Sequence, residues 1–208
     1  MTELEIIGAP ISNYVRSIRM LCEEKGVAYK LTLARPHSPE VTAIHPAGQV
    51  PCLRHGGLEL FESLAIASYI DKTFPGPRFI PQDTVAEARV LQWTSYCNAK
   101  VDRWIMREFV VPSVFFDKAK GPDQARVNAA LPEIGMCLGV LERAVTKTGF
   151  LAGEALSYAD INVAPMLAVF RQFPQGLQAL GGHHGLSSYI DKLTARPSFV
   201  NTAPAPLK

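Results

Sequence analysis

Apolar runs in the first third of the chain are short and broken by glycine and proline, whereas later ones are long and helical in rhythm. Leu4 to Ile7 is apolar and closed by Gly8-Ala9-Pro10, which predicts a strand. After a junction at residues 11–13, Ile18, Leu21 and Cys22 fall at helical spacing. They predict a helix from Asn13 to Lys25 with Gly26 as its stop. Ala28 to Leu33 alternates as a second strand. Arg35-Pro36-His37-Ser38-Pro39 reads as a loop, and Ser38 or Pro39 opens a short helix ending before Pro46. From Gly48 to Ser63 the chain predicts two strands joined at Gly56-Gly57, the first entered through Pro51, where proline is tolerated. A helix follows from Ser63 to Thr73. The order is β-α-β-α-β-β-α, with a parallel first βαβ unit and an antiparallel hairpin.

Phe74-Pro75-Gly76-Pro77 ends that pattern and Pro81 prolongs the break. Two apolar stripes then run along 85–110: Leu91, Val101, Ile105 and Phe109 on one, Val90, Trp93, Cys97 and Trp104 on the other. Pro112 is expected to break or kink this helix. Val127, Leu131, Ile134, Leu138, Leu141 and Val145 set a clean helical rhythm. Ser157 and Asp160 form the two ends of a capping box, with Leu156 and Ile161 as its staple. The following helix, to about Phe170, is apolar all round and contains Pro165, which is expected to kink it. Shorter helices are predicted around Leu177 and from Ser187 to Ala195, and the tail Ala203-Pro204-Ala205-Pro206 is expected to fray. Three segments result: an α/β domain at 1–76, a linker at 77–84 and an all-helical domain at 85–208.

Composition narrows the function. The 208 residues are 48% hydrophobic and 19% charged, enough for packed cores. A net charge of +2 without a basic block argues against a nucleic-acid partner or an anionic membrane. No signal peptide and no apolar run near the ~20 residues of a membrane span are visible. The four cysteines, Cys22, Cys52, Cys97 and Cys137, are scattered without a C-x-x-C pair, which fits a reducing, cytoplasmic setting. His183 and His184 have no further ligand at metal spacing, so no metal site is expected.

The hairpin carries candidate chemistry of its own. A cis Val50–Pro51 bond would turn the Val50 N–H and C=O outward, where an extended peptide pairs by strand addition. The helix start at Ser63 favours a carboxylate, and Glu62 offers an acceptor to an ammonium.

Three motifs together give the chain a family resemblance. They are Ser12-Asn13-Tyr14-Val15-Arg16-Ser17-Ile18-Arg19, His45-Pro46-Ala47-Gly48-Gln49-Val50-Pro51 with Phe61-Glu62-Ser63, and Leu156-Ser157-Tyr158-Ala159-Asp160-Ile161. In this order and spacing the chain resembles a cytosolic glutathione S-transferase, nearest the serine-type phi- and tau-like classes and their bacterial relatives. The resemblance implies a thioredoxin-like N-terminal domain, a helical C-terminal domain, and a cytoplasmic homodimer. It implies glutathione as co-substrate, with Ser12 donating a hydrogen bond to the sulfur. Asn13 stands where tau-like proteins usually have proline, so Asn13 and Tyr14 remain alternative donors. Val50 and Pro51 would present the backbone to the cysteinyl part, Glu62 and Ser63 would take the γ-glutamyl end, Gln49 would approach the ligand's backbone or its glycine carboxylate, and His37 would meet that carboxylate. An acceptor site for a small apolar electrophile would lie between the domains, with Tyr14, Trp104, Ile105, Phe109 and Phe116 as wall candidates. Phe115 is a further candidate. Arg16 and Arg19 read as structural or interface charges rather than catalytic groups, and Cys22 and Cys52 as core thiols. Thiol-transferase relatives carry cysteine where Ser12 stands, so a mixed-disulfide mechanism is disfavoured. The expected activity is attack of glutathione thiolate on the electrophile, with hydroperoxide reduction as a second reaction. The competing reading is a non-catalytic binding or scaffold protein on the same fold.

Overall fold

The structure is a computed structural model that describes residues 3–204. It has two compact units. One runs to Pro81 and regains the chain from Ala195 onward; the other spans Gln82–Thr194. The sequence grouped the last stretch with the helical domain, whereas its contacts are with the first helix.

The first unit follows the expected element order: β1 (Leu4–Gly8), α1 (Asn13–Lys25), β2 (Lys30–Leu33), α2 (Pro39–Thr42), β3 (Cys52–His55), β4 (Leu58–Phe61) and α3 (Ser63–Thr73). The sheet order is β2-β1-β3-β4, with β1 parallel to β2 and the other pairs antiparallel. Alternation along β1 sorts its side chains. Ile7 joins Ala34, Val41, Ile44 and Cys52 in a cluster beneath α2. Leu4 and Ile6, buried with Leu53, take the opposite face, where α1 and α3 pack.

The α2 face becomes polar beyond Ile7. Thr32 Oγ1 donates to Glu5 Oε1 at 2.5 Å, Arg54 Nη1 to Glu5 Oε2 at 3.0 Å, and Arg54 Nε to Glu59 Oε1 at 3.0 Å. This ladder crosses all four strands. The Thr32 hydroxyl first, then Arg54 and Lys30, hold the Glu5 carboxyl below its usual range against the opposing effect of burial.

The C-terminal stretch contributes α10 (Pro197–Asn201), a helix the sequence did not predict. Arg196 grips Glu24 through two bonds of 2.6 and 2.7 Å, and Ser198 Oγ donates to Glu24 Oε1 at 2.5 Å. Arg16 donates to Phe199 O at 2.8 Å with its guanidinium 3.7 Å from the Phe199 ring centroid, and Arg19 donates to Thr202 O at 3.1 Å. Arg16 and Arg19 are therefore structural, as expected. Thr202 is buried. Of the tail expected to fray, Ala205 and Pro206 lie outside the described residues.

The second unit holds α4 (Thr84–Tyr96), a continuation in wider π-type turns over Cys97–Val110, α5 (Val111–Val114), α6 (Gln124–Thr148), α7 (Tyr158–Phe170), α8 (Pro174–Leu180) and α9 (His184–Thr194). Asp83 caps α4 by accepting from Ala86 N–H at 2.9 Å, and Asp123 caps α6 by accepting from Arg126 N–H at 3.0 Å. The expected break at Pro112 does not occur there. The residues before Pro112 are already helical, the helix runs on through it, and the chain leaves the helix at Phe115. Five of the six rhythm residues of α6 are buried; Leu131 is half-buried.

Every residue of α7 except Val169 is buried, so it forms the centre of this unit. The capping box at its start is present. Asp160, wholly buried, accepts from Ser157 N–H at 2.8 Å, Ser157 Oγ at 2.7 Å, Leu151 N–H at 2.8 Å and Tyr189 OH at 2.7 Å. One carboxylate thus ties α7 to α9 and to the loop before it. No helix among the described residues is long and apolar enough to cross a membrane.

Candidate functional site

The polar groups of the first unit converge where β1 gives way to α1. Ser12 is the N-cap of α1: its backbone is extended and its Oγ accepts from Val15 N–H at 3.4 Å. That bond uses the oxygen as acceptor, and among the described residues nothing takes the hydroxyl hydrogen. Ser12 therefore has a donor to offer at a helix N-terminus, where negative charge is favoured. Asn13 and Tyr14 follow in the first turn, both half-buried.

Gly8 brings the second element in. A Cβ on Gly8 would lie 2.5 Å from Val15 Cγ2 and 3.1 Å from Val50 Cβ. Only a hydrogen at this position lets α1 and the loop before β3 close on β1 together. Val50 packs on the Ile7–Val41–Cys52 cluster, and the Val50–Pro51 peptide is cis. Pro51 is buried, Val50 half-buried, and Gln49 exposed.

Gly48 organises the other side of that loop. Its φ is +65°, a left-handed conformation favoured by glycine, and its O accepts from His37 N–H at 2.7 Å. A Cβ there would overlap the His37 ring. His37, exposed, is thus held beside the Gly48–Gln49 segment, although the two lie on separate loops.

The third element is the start of α3. Glu62 adopts φ +69°, a left-handed conformation unusual for a residue with a side chain, and makes no cap bond to α3. The leading N–H groups of α3 consequently have no bond from their N-cap side chain, unlike those of α1, α4 and α6. Ser63 opens the helix and is buried. A helix start whose N-cap side chain makes no bond, next to a carboxylate, sets N–H donors suited to an anion beside an acceptor suited to a cation.

One residue of this region had no role from the sequence. His45, buried, places Nε2 3.7 Å from Glu62 Oε1 and accepts Ala47 N–H on Nδ1 at 3.1 Å. The sequence shows it only as part of a motif, because its contact with Glu62 is made through the fold.

The wall candidates separate. Ile105 and Phe109 are wholly buried in the helical unit, where Phe109 packs edge-on against Phe170 and Phe173 at centroid distances of 5.2 and 5.3 Å. Both are core side chains: the stretch from α4 through the wider turns buries positions of both apolar stripes, Val90 and Cys97 as well as Val101 and Phe109. Trp104 is half-buried, and Phe115 and Phe116 are exposed. Tyr14 belongs to the first unit.

The cysteines are free and buried. Burial, reinforced by Glu23, pushes the Cys22 thiol up to about 12; burial, reinforced by Glu59, pushes Cys52 up to about 11. Burial also raises Cys97 and Cys137. None of them is placed to be a nucleophile. Among the described residues no group of three or more His, Cys, Asp or Glu could hold a metal ion.

Residues 6–78 match the family model described as "Glutathione S-transferase, N-terminal domain", and residues 93–197 the one described as "Glutathione S-transferase, C-terminal domain". Over 219 residues the chain is 31% identical to "Glutathione S-transferase 1" of Zea mays, covering 98% of this chain and 97% of that protein. The chain belongs to the glutathione S-transferase family. Two solved glutathione S-transferases are similar throughout. The structure of glutathione S-transferase-I bound with lactoylglutathione superposes with a TM-score of 0.86 at 26% identity, covering 97% of this chain and 98% of that one. The theta-class enzyme from Xanthomonas axonopodis pv. citri, with glutathione bound, superposes with a TM-score of 0.83 at 25% identity over 100% of both chains. The thioredoxin-like unit and the helical unit are those of a glutathione S-transferase.

Proposed function

We propose that this glutathione S-transferase activates the thiol of glutathione through Ser12 and directs the thiolate at a small apolar electrophile. A free thiol has a pKa near ~8.5 and is mostly protonated at neutral pH. Each unit of lowering corresponds to about 1.4 kcal/mol of preferential stabilisation of the thiolate. The observation that carries the reading is the state of the Ser12 hydroxyl, which accepts from Val15 N–H and retains its hydrogen for the sulfur. Serine acts as donor and is never itself the nucleophile, so it needs no adjacent base.

The remaining roles belong to the same proposal. Val50 and Pro51 present backbone to the cysteinyl part, Glu62 and Ser63 receive the γ-glutamyl ammonium and carboxylate, and Gln49 and His37 meet the glycine end. Trp104 and Phe116 remain contacts for the electrophile, as does Tyr14. Four buried free thiols support a reducing, cytoplasmic setting. A homodimer completes the proposal, and sedimentation velocity tests it.

Turnover of a chlorinated nitroaromatic with glutathione tests the chemistry. Removing one hydrogen bond to a developing thiolate removes about 1.5–3 kcal/mol. Ser12→Ala therefore loses about tenfold to a hundredfold in kcat/KM, and unchanged turnover would take Ser12 out of the mechanism. A wild type that neither turns over nor binds glutathione in calorimetry would favour the scaffold reading.

A further inference from the structure

Glu62 has the conformation of a residue held in place, with a left-handed backbone at φ +69°, yet its side chain is 68% exposed. An exposed glutamate samples many rotamers, and fixing one costs entropy when a ligand binds. Among the described residues, the only side chain set against its carboxylate is His45. We propose that His45 is a positioning residue for glutathione binding: its Nε2–H aims the Glu62 carboxylate at the α-ammonium of the γ-glutamyl group. This inference rests on the glutathione reading above and deepens it.

The tautomer follows from hydrogen bonding. Ala47 N–H donates to His45 Nδ1 at 3.1 Å, so Nδ1 is the acceptor nitrogen and the proton of the neutral ring sits on Nε2. Nε2 is the atom 3.7 Å from Glu62 Oε1. That separation exceeds a formed hydrogen bond and leaves an N–H close to the carboxylate, a contact that an arriving ammonium can tighten.

The ring cannot turn away readily. His45 N–H donates to Val41 O at 2.7 Å, His45 O accepts from Gly48 N–H at 2.8 Å, and the ring lies 4.8 Å, centroid to centroid, from Phe61. The residue preceding Glu62 therefore packs, tilted at 45°, against the same imidazole that contacts Glu62.

The chemistry needs both ring nitrogens. An asparagine at 45 offers an oxygen to Ala47 N–H in the Nδ1 role, but has no second donor a ring's width further out. His45→Asn thus separates the turn from the contact with Glu62.

Calorimetric titration of wild type and His45→Asn decides the matter, using glutathione and glutaryl-cysteinylglycine, the analogue lacking the α-amino group. His45→Asn is expected to weaken glutathione about three- to tenfold, the scale of immobilising one flexible side chain, and to leave the analogue within about twofold. The glutathione effect is expected to vanish on a Glu62→Gln background. Equal weakening of both ligands would show a purely structural role and overturn the proposal, as would unchanged glutathione affinity. If the wild type binds neither ligand, the glutathione reading falls and this inference with it. Nitrogen NMR of the wild type gives a test independent of any variant: the Nε2–H tautomer supports the assignment, and an Nδ1–H tautomer overturns it.

Discussion

Lys25 Nζ lies 3.3 Å from Asp71 Oδ1, and both side chains are wholly removed from solvent. The pair joins the last turn of α1 to α3. It also fixes the chain beyond α3, because Asp71 accepts Phe79 N–H at 3.0 Å and Ile80 N–H at 3.1 Å while Lys25 donates to Pro77 O at 2.8 Å. Every charge in the group is matched by a bond. A buried pair adds little net stability, but removing one partner strands the other.

Asp71→Ala and Lys25→Met are therefore each expected to destabilise the protein by about 3–5 kcal/mol in urea unfolding at neutral pH. The double variant loses less than the sum, since neither charge is then left alone. Additive losses would show that the two groups act separately.

The grip of Arg196 and Ser198 on Glu24 gives a pH-dependent counterpart. Burial works against the Glu24 charge, yet bonds from Arg196 and Ser198 outweigh it and hold the carboxyl below its usual range. A carboxyl with a lowered native pKa contributes stability that is fully present above its unfolded value, near ~4.3, and is lost as pH falls through the lowered native value. Glu24→Gln is expected to cost about 1 kcal/mol at neutral pH, the pair being partly solvent-screened. The difference between variant and wild type should close in the acid range, measured by thermal melts at a series of pH values. A difference independent of pH would assign the loss to packing.

What the sequence disclosed depended on how local the signal was. Ser12 and Gly26 bound α1 from either end, and the Ser157–Asp160 capping box marks the start of α7 within four residues. The docking of α10 had no such signal. Glu24 and Arg196 are 172 residues apart, and nothing near either names the other. Ile105 and Phe109 failed as wall candidates for a related reason: an apolar residue on a helix reads alike in a core and in a cleft, and only packing separates them. Within the site, Ser12, Val50, Glu62 and Ser63 were legible as motif residues at turns and helix starts. His45 was not, because its role exists only once α2 and the end of β4 are brought together.

The cysteines give a direct test of the core assignment. With Cys22 pushed up to about 12 and Cys52 to about 11, native protein at pH 8 holds very little thiolate at either. Native protein should release no rapid colour with an aromatic disulfide reagent, and four equivalents after denaturation. Ser12→Cys is expected to add one fast-reacting thiol, since its position at the N-terminus of α1 favours the thiolate. A native protein that titrates readily would contradict the burial of these residues.

Gly8 lies against both Val15 and Val50, the two sides of the proposed glutathione site, and its substitution should separate stability from catalysis. Gly8→Ala places a methyl group against both Val15, on α1, and Val50, in the loop before Pro51. Overpacking of this kind costs about 1–3 kcal/mol. Adding Val15→Ala removes the collision with Val15 Cγ2, the nearer atom at 2.5 Å, but not the backbone strain of a side chain at φ +158°, so it should recover only part of the melting temperature. The crowding of Val50 Cβ at 3.1 Å remains in the double variant, and Val50 is the residue proposed above to present its backbone to glutathione. The double variant should therefore melt above Gly8→Ala while keeping the same raised KM for glutathione, a split visible in paired melts and steady-state kinetics. If KM recovers together with stability, the spacing between β1 and Val50 does not set glutathione affinity.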